Sequence, residues 1–124
     1  MAIERSSTRD CLFESLHGTA IVLCQLGRPR DALPLLISLR GACEAFGERA
    51  RLQDVLTNQG IAAFMLGDHE TSLQCLRSAE QIAQRHASFA AVRRSLVSQI
   101  AVHTAQGDEA GRAQAILRLR ALRA

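Results

Sequence analysis

Three glycines at equal steps limit what this chain can fold into. Gly27, Gly67 and Gly107 stand 40 residues apart, in "QLGRPRDALPLL", "MLGDHETSLQCL" and "AQGDEAGRAQAI". Other positions keep the same step without a gap. Leu12, Leu52 and Val92 align, as do Leu16, Leu56 and Leu96, and Ala20, Gly60 and Ile100. Beyond the glycine, Leu36, Leu76 and Ile116 align, then Leu39, Ala79 and Leu119. A fixed period of roughly 20–50 residues marks a stacked-repeat architecture, in which each unit covers its apolar face with the next.

Each copy reads as two helices. Before the middle glycine, Leu52, Val55, Leu56, Ala62, Ala63 and Leu66 recur at three- and four-residue steps; after it come Leu73, Leu76, Ala79 and Ala83. That is the helical period, not the alternation of a strand. The glycine ends the first helix, because a residue without Cβ enters the left-handed region at no steric cost. Asp68 and Asp108 follow as N-caps of the next helix. A turn this short leaves the two helices antiparallel. Ser7-Thr8-Arg9-Asp10 has the form of a capping box and predicts the start of the first helix. Gly47 should end the second helix and Ser88 cap the fifth. Around the first glycine two starts compete. Pro29 as first helical residue leaves Pro34 inside the helix, whereas Asp31 as N-cap puts Pro34 in the first turn, where its missing N–H costs little. The second is the expectation. No Pro/Gly/Ser-rich linker divides the 124 residues, so one all-α domain is expected over residues 1–124, with repeats at about 8–47, 48–87 and 88–124.

The middle copy resembles the tetratricopeptide repeat. Gly60, Phe64, Leu66-Gly67-Asp68, Ser72, Leu76 and Ala79 carry the likeness, and the first copy repeats it with Ala20, Leu26-Gly27, Ala32, Leu36 and Leu39. The third keeps Gly107-Asp108 and Ile116 but has Ile100 and Arg112 where the family favours small residues. The period exceeds the family's usual ~34 and resembles the longer-helix variant of kinesin light chains and many bacterial regulators. The family's usual Trp, Tyr and closing Pro are absent, which leaves a divergent helical-repeat array of another type as the alternative.

The resemblance implies a right-handed superhelix of three antiparallel helix pairs, its concave face lined by the first helix of each pair. It implies partner-binding positions at His17, Ile21 and Cys24 in copy one. In copy two they are Thr57, Ile61, Phe64 and Met65, and in copy three Val97, Ala101 and Thr104. Such a surface suits an amphipathic helix or an apolar extended segment. Each of these apolar residues fits the core as well, since burial is their default. The family's grip on a terminal carboxylate is not expected: only Asn58 and Arg94 stand at comparable positions, and Ile21 replaces a polar one.

Chemistry finds little support. Cys11, Cys24, Cys43 and Cys75 are widely separated, and no His pair has the spacing of zinc ligands. Gly107 to Gly111 lacks the lysine of a phosphate loop. Asp68, Glu70 and Glu80 read as caps and solvated faces. No catalytic residue, metal or cofactor is expected. All 15 basic residues are Arg, the net charge is +3, and there are four Phe but no Trp or Tyr. That balance argues against nucleic acid as the main partner, although the Arg-rich faces keep it as an alternative. The start, "MAIERSSTRD", is polar and unlike a secretory signal, and "AIVLC" is too short to span a bilayer. With no C-x-x-C pair or disulfide framework, a reduced cytoplasmic protein is expected.

The last segment, "RAQAILRLRALRA", sets Arg112, Arg118, Arg120 and Arg123 around Ile116, Leu119 and Leu122. It reads as the last repeat helix with its arginines in solvent. Repeat arrays usually close with a polar helix, and none follows Ala124. Some of Ile116, Leu117, Leu119 and Leu122 should therefore stay exposed, to be covered by a second copy, a partner or more of the same array. The functional expectation is a protein-interaction module, adaptor or chaperone for an apolar segment. An oligomerisation or sensor module of a bacterial regulator is the alternative.

Overall fold

The computed structural model describes residues 2–86 and 88–122, with side chains from Thr8 onward. Among them are six helices and no strand: α1 (Ala2–Gln25), α2 (Pro29–Phe46), α3 (Arg49–Met65), α4 (His69–Arg85), α5 (Phe89–Gln106) and α6 (Glu109–Ala121). Each helix packs on the next in sequence, and α3 also touches α1 and α5. The first helices of the three pairs thus form one layer, with α2, α4 and α6 outside it.

The turns explain the repeat. At Gly27 the next N–H, that of Arg28, donates to Leu23 O at 2.8 Å, and Gly27 N–H donates to Cys24 O at 3.0 Å. These two bonds satisfy carbonyls that the helix end leaves open, and they require a left-handed residue between them. Gly27 meets that need with φ +74°. The same pair of bonds recurs at Gly47, Gly67 and Gly107. The glycines therefore mark a 20-residue step, one helix and one turn. At the remaining step stands Ala87, outside the described residues, yet Ser88 N–H still donates to Ala83 O at 3.0 Å. Asp68, Ser88 and Asp108 cap the helices after them, accepting from Thr71, Ala91 and Gly111 N–H.

Two predicted starts are corrected. α1 runs from Ala2, so Ser7-Thr8-Arg9-Asp10 lies inside it. Helix-forming residues upstream of the box outweigh its capping signal, and Asp10 accepts from Arg51 of α3 at 2.9 Å instead. α2 begins at Pro29, with Arg28 at the N-cap and Pro34 inside the helix. The fixed φ of Pro29 suits the first helical position. Pro34 sits on the exposed side, where its lost hydrogen bond faces water. Asp31 receives Arg28 Nε at 2.8 Å rather than capping.

Small residues set the helix spacing within pairs. Ala20 and Ala32 are fully buried between α1 and α2. In the middle pair, Ser72 Oγ donates to Gly60 O at 2.7 Å, so the backbones nearly touch. The third pair meets elsewhere. Ile100 is half-buried and Arg112 exposed, and the close approach moves to Gly111, where a Cβ would run into the His103 ring and the Asp108 carboxylate.

Position in the stack decides burial. Leu52 and Val92 are 5% and 3% exposed, but their counterpart Leu12 on α1 is 59% exposed, because among the described residues no pair precedes α1 to cover it. Glu80 departs from its expected solvated face: it is 6% exposed. Its Oε1 accepts from Gln99 Nε2 at 2.8 Å, and its Oε2 from Arg118 Nε at 3.3 Å. α5 and α6 close over this side of α4, so the carboxylate becomes the polar tie of the last three helices. Arg118 therefore pairs inward, while Arg123 lies outside the described residues.

Candidate functional site

The layer α1–α3–α5 divides into a polar end and an apolar end. Toward the helix N-termini, Arg51 Nη1 donates to Asp10 and Glu48 at 2.9 and 3.1 Å, and its guanidinium lies over the Phe13 ring at 4.5 Å. Farther on, Arg94 stands 3.9 Å from Asp54, and the Asn58 amide and His17 Nε2 are 2.8 Å apart. Asn58 and Arg94 are thus engaged with partners on α1 and α3. Farther along, Ile61 and Phe64 of α3 meet Ala101 and Val102 of α5 around an apolar depression of about 90 Å³, with Gly60 and Leu76 lining its α3–α4 side.

The ten expected contact positions separate in this frame. Ile61, Phe64 and Ala101 converge on the depression. Met65 and Val97 are 43% and 52% exposed and flank it in sequence, and Thr104 is exposed with its hydroxyl turned back to Ile100 O at 2.7 Å. Ile21 and Cys24 are half-buried on α1. Burial pushes the Cys24 thiol above its ordinary pKa and keeps it protonated. Thr57 is fully buried, its hydroxyl donating to Gln53 O at 3.0 Å, and offers no surface. His17 is 8% exposed and packs edge-on against Phe13. The 40-residue step fixed the helix on which each residue lies. It did not show how far α1 and α3 close over His17 and Thr57. Phe64 stacks on His69 with ring centres 5.5 Å apart, which holds it at the rim.

Burial holds the His17 imidazole below its ordinary pKa; the Asp54 and Glu14 carboxylates pull the other way, and Arg94 adds to the lowering. Protonation therefore favours the unfolded chain. The stability that neutral His17 contributes is fully present above about pH 6.5, the ordinary histidine value. It is lost as pH falls from there toward the lowered folded value. Denaturation of wild type and His17→Gln between pH 7.5 and 5 (roughly the range of histidine titration) should show a difference that shrinks on acidification. Its slope is at most about 1.4 kcal/mol per pH unit, the limit for one proton. Parallel curves would mean that His17 does not sense burial.

Among the described residues no three His, Cys, Asp or Glu side chains converge as metal ligands, and no helix is long and apolar enough to cross a membrane. No family model matches the chain, and no curated protein does. Among solved structures it is similar to the crystal structure of the TPR domain of Arabidopsis FLU, at 12% identity. The likeness covers 88% of this chain and 92% of that one, with a TM-score of 0.81. At that identity the likeness speaks for the fold alone, but over nearly the full length of both chains. The chain has the fold of a tetratricopeptide-repeat helical solenoid.

Proposed function

We propose that this chain is a protein-interaction module, an adaptor or chaperone, whose first-helix layer holds an apolar helix or peptide of a partner. The observation that carries this reading is the depression between Ile61, Phe64 and Ala101, beside exposed Val97 and Met65. An apolar side chain seated there would leave water without displacing a charge. Met65 and Phe64 add surface that adapts to shape. The role is binding without a reaction. Cys43 and Cys75 are buried as small apolar side chains, and a reducing compartment such as the cytoplasm belongs to the same reading.

The test compares proteins captured from the native host by wild type and by Phe64→Asp, after circular dichroism has shown the variant folded. The expected result is a protein retained by wild type and lost by the variant, with binding reduced at least about tenfold, as when a charge is buried unpaired at an interface centre. Identical captures would sink the assignment to this face. A second reading rests on α6, where Leu117 is 63% exposed and Ile116 and Leu119 are half-buried. That strip fits a self-association module, and the same preparations would then show a mass that rises with concentration.

A further inference from the structure

The outer side of the fold carries a second feature, independent of the concave layer. The backbones of α2 and α4 stay apart, with no Cα pair within 8 Å, although side chains of both, such as Cys43 and Ile82, join one apolar cluster over α3. α3 packs beneath both and floors an open trough between them. Two adjoining hollows, of about 430 and 480 Å³, share Arg40 and Ser78. Arg49 and Arg85 line the first, and Arg77 the second. Glu44 is the one carboxylate lining either hollow, and it is held by Arg40 Nε at 2.9 Å. Arg49, Arg77 and Arg85 make no ion pair among the described residues. The trough thus presents three uncompensated guanidinium groups above a floor that includes Leu52, Leu56 and Ile82.

One more group points to a ligand. Gln59 of α3 lines the second hollow and is 7% exposed, and its Oε1 is buried without a hydrogen-bond partner. Buried acceptors are almost always paired, because leaving one unpaired forfeits its hydration with no return. A free carboxylate or phosphate brings no donor to Gln59. A peptide backbone brings an N–H. No aromatic ring lines either hollow, so nucleic-acid bases find no stacking platform.

We infer that this trough docks an acidic, extended peptide segment of a partner protein. Its Asp or Glu side chains meet Arg49, Arg77 and Arg85, an apolar residue lies against Leu56 and Ile82, and a backbone N–H meets Gln59 once its amide turns up from the floor. Guanidinium suits this role because its fork binds a carboxylate through two parallel hydrogen bonds.

Fluorescence anisotropy with the labelled peptide DELDELDE at low salt tests it, against the neutral NQLNQLNQ. The acidic peptide should bind and the neutral one should not. Arg77→Glu combined with Arg85→Glu should weaken binding at least about tenfold, since charge reversal replaces attraction by repulsion. Arg93→Glu combined with Arg120→Glu changes net charge equally outside the trough and should leave affinity within about twofold. Gln59→Leu keeps every charge and should weaken binding by about three- to tenfold through the lost acceptor. It also serves if the double reversal fails to fold. Phe64→Asp should have no effect, so failure here and failure of the concave-face reading remain distinguishable. Equal loss in the control pair, equal binding of the neutral peptide, or full affinity in both trough variants would overturn the inference. So would an oligothymidine that binds tighter than the peptide and is lost in the same variants, which would make the ligand a nucleic acid.

Discussion

Gly60→Val is expected to lower the unfolding free energy by about 3 kcal/mol, a large part of the roughly 5–15 kcal/mol that holds a domain together. A Cβ at Gly60 would stand 2.8 Å from Leu76 Cγ and 3.2 Å from Ser72 O. Leu76 is fully buried and cannot move aside without disturbing the helices around it. The added branch would also push α4 away and break the bond from Ser72 Oγ to Gly60 O, for about 1 kcal/mol of the total. Removing a helical glycine returns some stability, about 0.5–1 kcal/mol, by restricting the unfolded chain. Gly41 isolates that return. It lies in α2 with nothing within 4 Å of a built Cβ, so Gly41→Ala should raise stability by about 0.5–1 kcal/mol. Urea denaturation of the two variants should move the midpoint in opposite directions. A Gly60→Val midpoint at or above wild type would mean that α3 and α4 are not in the close contact described.

This contrast shows which parts of the fold were legible in the sequence. Gly27, Gly67 and Gly107 are visible because the turn they make is local: two backbone bonds and one left-handed residue define it. The caps Asp68, Ser88 and Asp108 are local for the same reason. Gly60 and Ser72 also stood out, since a small residue within an apolar register signals close approach before any partner is known. Pro34 misled because two local rules competed at one helix start. Glu80 was illegible. A glutamate in an amphipathic helix looks solvated unless it is known that α5 and α6 will cover it. The trough between α2 and α4 was hidden for a related reason. Arg40 and Arg49 are far in sequence from Arg77 and Arg85, and none breaks the repeat. Their proximity follows from how α3 seats two outer helices apart. Of the expected contact residues, the repeat placed Ile61, Phe64 and Ala101 on facing helices. Thr57 went to the core because residues one turn apart on α3 differ in how closely α1 and α5 approach them.

Reversing the charge at Arg118 should have the second large effect. Arg118 is half-exposed, but its partner Glu80 is buried, and solvation protects only one side of the pair. Arg118→Glu would set a second carboxylate against Glu80 and Gln99, and a loss of about 2–3 kcal/mol is expected. That is below the full cost of breaking a buried pair, because water screens the exposed partner. Arg120→Glu supplies the comparison. It is exposed on the same last turn and makes no ion pair among the described residues, so it should cost no more than about 0.5 kcal/mol. The damage should also be local at first. Ala115 is the one fully buried residue described on α6, and little apolar surface besides Leu119 and Leu122 anchors the helix. Amide exchange in α6 should therefore quicken before that of α3 and α4. Adding Glu80→Gln to Arg118→Glu should recover more than half of the loss, because an amide keeps a polar partner for Gln99 and removes the repulsion. Recovery by Glu80→Gln would show that the third pair is held by this one polar tie; no recovery would place the damage in the packing of Leu119 and Leu122 instead.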